Sequence, residues 1–163
     1  MTTKADFTED EWATLVRSPM VAGMAITLAD PGGPIEVLKE TSAVVKVVTS
    51  SASGQRDELT GELAREVRGL AEQRKNPAGD FKPRGAMAGK EIVDELSRAN
   101  EIASAKASPE EAEEFRAWIM ECAQNAADAA KEGGFMGFHA ERVSQGEKDM
   151  LAQLRSALGM SGT

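Results

Sequence analysis

Residues 108–134 read SPEEAEEFRAWIMECAQNAADAAKEGG, and this stretch predicts one long helix. Ser108 and Glu111 stand three positions apart as a capping box, with Pro109 at the first helical position, where its missing N–H is harmless. The apolar residues that follow recur every three or four positions, as on the buried face of a helix: Phe115, Trp118, Ile119, Cys122 and Ala126. The paired glycines at 133 and 134 predict the end of the helix.

The N-terminal third carries similar helical signals. Thr8 and Glu11 form another capping box, which predicts a short helix to about Arg17. Pro19 then predicts the start of a second helix, because proline suits the first turn. Its apolar stripe is expected to lie at the centre of the core: Met20, Val21, Met24, Ala25 and Leu28.

Further helices are predicted along the rest of the chain. One covers about residues 34–51. Its paired valines at 44–45 and 47–48 would suit a strand equally well, but Glu36, Lys39, Glu40 and Lys46 are spaced as one face of a helix, which we prefer. Two further helices carry Leu63 and Leu96. Ser144 and Glu147 form a third capping box, which opens the last helix. Six or seven helices predict an all-α fold, a compact bundle forming a single all-helical domain over residues 1–163. A shift of 101 residues superposes alanines and glycines of residues 22–33 on residues 123–134. Two helix–loop–helix halves are one interpretation; the other, which we favour, is chance, because all the matches are alanine or glycine in a chain rich in both.

The composition of the 163 residues excludes several classes of site. The chain has a net charge of −8, one cysteine, one histidine and no tyrosine. It therefore cannot form an internal disulfide framework, an all-cysteine zinc site or a multi-histidine metal site. The glycine motifs that bind phosphates or dinucleotides are absent as well. Most familiar catalytic arrangements are removed, and the sequence favours a protein that is not an enzyme.

The N-terminal residues do not resemble a targeting signal, because residues 1–11 carry acids where a signal peptide has basic residues followed by an apolar run. The longest uncharged stretch, residues 18–29, has 12 residues, whereas a membrane-spanning helix needs about 20. We therefore expect a cytoplasmic protein of a bacterium-like cell that does not enter a membrane.

Residues 74–90 are predicted to form a long basic loop. Arg74, Lys75, Lys82, Arg84 and Lys90 against Asp80 give the loop a charge of +4, which leaves −12 for the rest of the −8 chain. With Phe81 as an aromatic platform, the loop could dock an acidic partner, a phosphate-bearing ligand or single-stranded nucleic acid. Alternatively it is a solvated linker, which we favour, because five basic residues are few for nucleic-acid binding.

Residues 133–143, GGFMGFHAERV, are predicted to form a second loop rich in glycine and phenylalanine. Phe135, Met136 and Phe138 either fold onto the core as an apolar plug, the favoured interpretation, or are offered with His139 to a partner. His139 and Cys122 are also the one available pair of base and nucleophile. Cys122 lies on the apolar helix stripe, where a small buried residue is expected, so catalysis is disfavoured.

Carboxylates surround both glycine-containing breaks of the chain. Asp30 at the first break and Glu147 after the second are candidate ligands for a divalent cation, since hard cations prefer several oxygen ligands. The calcium-loop order of alternating aspartates is absent, and Glu147 already has a capping role.

The C-terminal pattern of helix, Gly-Gly, loop and Ser144-x-x-Glu147 resembles the tellurite-resistance TerB-like domains of bacteria over about 45 residues. It also resembles bacterial helical proteins of no assigned function. The TerB-like resemblance implies an all-helical fold associated with metal binding and stress response. Those domains pair Asp-Gly before the loop with Ser-x-x-Glu after it; here Glu132-Gly133 stands in the first place, and Asp30 is separated from Gly32 by a proline.

The sequence therefore predicts a non-enzymatic, soluble helical protein that acts through protein–protein contacts with itself or another protein. An oligomeric or accessory, stress-related factor fits this description. The predicted contact regions are the 74–90 and 133–143 loops. The alternative is a divalent-metal-binding, TerB-like domain.

Overall fold

The computed structural model describes residues 1–131 and 143–160, which are 78% helical and contain no strand. Six α-helices are present in this part of the chain: α1 Glu9–Ala29, α2 Pro34–Ser53, α3 Glu58–Glu72, α4 Ala88–Lys106, α5 Pro109–Lys131 and α6 Gln145–Ala157. Short 3-10 turns cover Lys4–Asp6 and Gly85–Met87. The helices pack on one another, so the predicted all-α bundle is confirmed.

The helix α5 lies at the centre of the bundle. It packs on α2 and α1 and touches α3, α4 and α6. Phe115, Trp118, Ile119 and Cys122 are all fully buried, as the spacing predicts. The three capping boxes, at Thr8, Ser108 and Ser144, each form with the glutamate three positions on.

The prediction of two helices around Pro19 is wrong, because α1 is a single helix of 21 residues that contains Pro19. A proline inside a helix costs about 3 kcal/mol, since it removes one backbone hydrogen bond and crowds the preceding turn. Leu15, Val21 and Ala22 on either side of it are fully buried. Burial of a Leu or Val side chain contributes about 1.5–3 kcal/mol, so packing on α4 and α5 outweighs the local penalty.

Because α1 is continuous, its length must be compared anew with that of a membrane-spanning helix. Within the described residues, α1 is the one helix long and apolar enough to cross a membrane by length and composition. More than half of its qualifying window is buried inside the fold, as in the core helix of a globular protein.

Two contacts between distant parts of the chain join the ends of the helices. Both the amide nitrogen and the hydroxyl of Thr2 donate to the carboxylate of Glu111 at the start of α5, at 2.9 and 2.6 Å. Gly146 in the first turn of α6 lies so close to α1 that a Cβ atom there would be 2.6 Å from the carbonyl oxygen of Ala29. The start of α6 is therefore held against the end of α1.

Candidate functional site

An apolar groove of about 620 Å³ lies between α1, α2, the segment 76–83 and the start of α4; we call it the α1–α2 groove. The helix α1 contributes Met20, Met24 and Leu28, which are four residues apart and share one face. The helix α2 contributes Val37 and Val44. The expectation that the whole α1 stripe is core is thus half right, because Leu28 is 40% exposed at the groove while Val21 and Ala25 are buried.

The two helices approach closely at one end of this groove. A Cβ atom on Gly23 of α1 would lie 3.2 Å from Cγ2 of Val44. The threonines that line the groove direct their hydroxyls back to the helices. Thr41 donates to the carbonyl of Val37 at 2.8 Å, and Thr27 donates to the carboxylate of Glu40. Because these polar atoms are satisfied, the wall that remains is apolar.

The basic loop is shorter than predicted, because residues 88–90 already belong to α4. Its centre is packed onto the bundle: Ala78 is buried and Phe81 is half-buried against the core. The guanidinium of Arg17 lies 6.0 Å from the centre of the Phe81 ring, and its Nη1 lies 3.3 Å from Glu95 Oε1. Phe81 is thus a wall of the α1–α2 groove, and its arrangement does not support an exposed platform for stacking bases.

The charged groups of this loop point outward. The predicted contact residues Arg74, Lys75, Lys82 and Arg84 are exposed, and none of them forms an ion pair with another residue of the described ranges. Lys82 also lines the α1–α2 groove. The loop therefore places positive charge at the opening of an apolar groove.

A second apolar surface lies on α2, beside the face that carries Glu36, Lys39 and Lys46. Ile35 and Leu38 are each 66% exposed and Val45 is 44% exposed. Their spacing of three and seven places them along one line of the helix, which we call the α2 seam. Glu40, which the spacing places on the charged face of α2, is buried.

The buried carboxylate of Glu40 interacts electrostatically with acids from both glycine-containing breaks of the chain, Asp30 and Glu147. Burial raises the pKa of its carboxyl, the hydrogen bond from Thr27 lowers it, and the charges of Glu147, Asp30 and Glu36 raise it further. The candidate metal ligands Asp30 and Glu147 are thus both electrostatic neighbours of one buried carboxylate. Among the described residues, however, no three His, Cys, Asp or Glu side chains form a group that could hold a metal ion. The metal site stays a prediction.

The remaining candidate residues are Cys122 and those of the 133–143 loop. Cys122 is fully buried, and burial raises the pKa of its thiol far above the usual range, so the thiolate is strongly disfavoured. Phe135, Met136, Phe138 and His139 lie outside the described residues, and so does most of the predicted 133–143 loop.

No protein-family model, curated protein or solved structure matches this chain. The resemblance to TerB-like domains is therefore neither supported nor contradicted, and the geometry alone carries the functional argument.

Proposed function

We propose that this protein is a non-enzymatic helical module that acts through protein–protein contact, with the α2 seam as its contact surface. The observation that carries the proposal is the exposure of Ile35 and Leu38, two large aliphatic side chains that are each 66% exposed on one face of a helix whose other face is packed in the core. Large apolar residues that cluster on a surface mark interaction sites.

The chemistry of the seam indicates the kind of partner. Ile35, Leu38 and Val45 follow the three- and seven-residue spacing with which one helix packs along another. Lys39 and Lys46 each directly follow a seam residue, so they border the seam along one edge. A partner helix with an apolar stripe and acidic residues beside it would complement both features.

A second copy of this chain fits less well. In a symmetric antiparallel pairing the same surface is used by both copies, so the lysine edges of the two α2 helices would face each other. Like charges that face each other across an interface are unfavourable. We therefore favour another protein as the partner, in an accessory role.

The seam can be tested with a photo-crosslinking residue at position 38 in cells that produce the protein. Met87 is a matched control, because it is an apolar side chain with 55% exposure outside the seam. We expect a crosslinked protein from position 38, none from position 87, and loss of the product from position 38 when Ile35→Gln is added.

Light scattering after size-exclusion chromatography completes the test. A dimer that Leu38→Gln dissociates and Met87→Gln does not would keep the seam as the contact surface and replace the partner by a second copy. A strict monomer across micromolar concentrations, with no more crosslinking at position 38 than at position 87, would reject the proposal.

A further inference from the structure

We propose that the α1–α2 groove is a binding site for one monomeric long-chain carboxylate, with the alkyl chain in the groove and the carboxylate at Lys82. This inference goes beyond protein–protein contact through the α2 seam and uses a different face of α2. It rests on the size of the groove, the nature of its wall and the position of its charge.

The size and wall of the groove suit an alkyl chain. Its volume of about 620 Å³ falls within the range of roughly 300–1,000 Å³ that is typical of small-molecule sites. If each carbon takes roughly the 30 Å³ of a water molecule in the liquid, a twelve-carbon chain needs about 360 Å³. Met20 and Met24 have unbranched, adaptable side chains, which fit a ligand without fixed shape.

The polar groups of the wall leave few partners for a polar ligand inside the groove. Thr27 and Thr41 already donate their hydroxyl hydrogens to Glu40 and to the carbonyl of Val37. The side-chain oxygen of Asn76 accepts the amide hydrogen of Ala78 at 3.0 Å. A sugar or nucleotide would replace only a few of the hydrogen bonds to water that it loses, whereas an alkyl chain has none to lose.

The charge at the opening selects the head group. Lys82 is the one charged residue among the described residues that line the groove. Arg74, Lys75 and Arg84 on the same loop are exposed and add positive potential. Lys82 also lines a neighbouring cleft that contains Arg98 and four acids, Asp80, Glu91, Asp94 and Glu95, and these acids add negative potential on that side. Because Lys82 is the charged side chain of the groove lining itself, a direct ion pair with its ammonium group favours a chain with an anionic head over one with a neutral or cationic head. The long aliphatic stem of Lys82 can lie along the apolar wall while its ammonium group stays in solvent.

The test is calorimetric titration of the full chain at pH 8 with sodium dodecanoate below its micelle concentration. Dodecyltrimethylammonium has the same tail and the opposite head charge. We expect dodecanoate to bind with one molecule per chain and the cationic analogue to bind at least tenfold more weakly.

Two variants with the same change of charge separate the site from the general field of the protein. Lys82→Glu is expected to weaken dodecanoate binding tenfold or more. Lys75→Glu, on the same loop but outside the groove, is expected to weaken it less than threefold. Leu28→Gln, at a position that is 40% exposed and so tolerant of a polar group, should weaken the binding of the tail. Circular dichroism checks that each variant is folded.

Three results would overturn the inference. One is equal binding by the Lys82 and Lys75 variants, and another is uptake of many molecules with either head group, as in detergent adsorption. The third is association with vesicles of anionic phospholipid in the absence of any binding of monomeric dodecanoate, which would make the groove a membrane contact.

Discussion

The backbone amide of Asp57 donates a hydrogen bond to Oε2 of Glu114 at 3.1 Å, which brings the N-cap carboxylate of α3 beside a carboxylate of α5. Burial raises the pKa of Asp57, and the negative charge of Glu114 adds to it. The hydrogen bonds from Thr60 act in the opposite direction, and the net pKa is about 6. A helix start is thus fixed at the cost of placing two acids together.

This pair predicts a pH dependence of stability. Between the ordinary pKa of 3.8 and about 6, folded Asp57 holds its proton more tightly than the unfolded chain does. The free energy of unfolding therefore falls as the pH rises through this window. Asp57→Asn keeps an N-cap side chain and removes the charge, so we expect it to be more stable at pH 7 by about 0.5–1 kcal/mol, a modest value because solvent screens the pair.

Urea unfolding at pH 4, 5, 6 and 7 measures the effect. Glu110→Gln is the control. It removes one negative charge, as Asp57→Asn does, but from an exposed residue in the first turn of α5. If the free energies of unfolding of the Asp57 variant and the original protein differed by the same amount at all four pH values, the two-acid interpretation would be wrong.

Glu40 is expected to make the free energy of unfolding depend on pH in the same direction as Asp57 does. Its pKa is raised, so the buried carboxylate lowers stability as the pH rises above the ordinary value of 4.5. Glu40→Gln keeps an oxygen that can accept the hydroxyl of Thr27 and should raise the free energy of unfolding at pH 7. The gain should disappear at pH 4. A loss of stability at pH 7 would contradict this account and point to a required negative charge.

Glu111 should show the opposite sign. Burial by itself would raise the pKa of Glu111, but the hydrogen bonds from Thr2 and Ser108 outweigh it and lower the pKa to about 2. The stabilisation is therefore complete above pH 4.5 and is lost as the pH falls towards 2. Glu111→Gln should lose about 1.5–3 kcal/mol at pH 7, the usual worth of hydrogen bonds to a charged group.

Thermal melts of this variant provide the measurement, with Glu113→Gln as the exposed control on the same helix. The difference in stability between Glu111→Gln and the original protein should shrink below pH 4.5 and disappear only at about pH 2. A difference that persisted unchanged at that acidity would show that packing, and not ionisation, is responsible.

Gly146 predicts a steric effect that opposes helix propensity. Alanine is the better helix former by about 1 kcal/mol, yet its Cβ atom at position 146 would lie 2.6 Å from the carbonyl oxygen of Ala29. We expect Gly146→Ala to destabilise the protein by about 1–3 kcal/mol. At Gly69 in α3 a Cβ atom meets nothing within 4 Å, so Gly69→Ala should be stabilising.

Denaturant unfolding of these two alanine variants decides the matter. Stabilisation by both substitutions would mean that α6 does not press against the end of α1.

Local signals predicted most of the fold. The capping boxes at Thr8, Ser108 and Ser144 mark real helix starts, because a side chain three positions on satisfies free amides whatever the tertiary context. The failure at Pro19 has a tertiary cause. A proline favours a break locally, and only the neighbours supplied by α4 and α5 make an unbroken helix the better solution.

The candidate surfaces were harder to predict. The sequence pattern of α2 does not distinguish which of Glu40 and Leu38 faces the core. Only the assembled bundle shows that the acid is buried while the leucine is exposed. The groove likewise depends on how α1, α2 and the segment 76–83 are placed relative to one another, which no periodicity encodes. The basic loop was found from its composition, but the packing of Phe81 beneath Arg17 required the fold.

The position of α1 in the chain has a consequence for synthesis. This helix is made before α4 and α5, which cover much of it and follow its end by about 60 to 100 residues. At about 5–20 residues per second, an apolar segment long enough to cross a membrane lacks its contacts with α4 and α5 for roughly 3 to 20 s. During that interval the nascent chain would be a natural client for chaperones, and its hydrophobicity is hidden only once α5 has emerged.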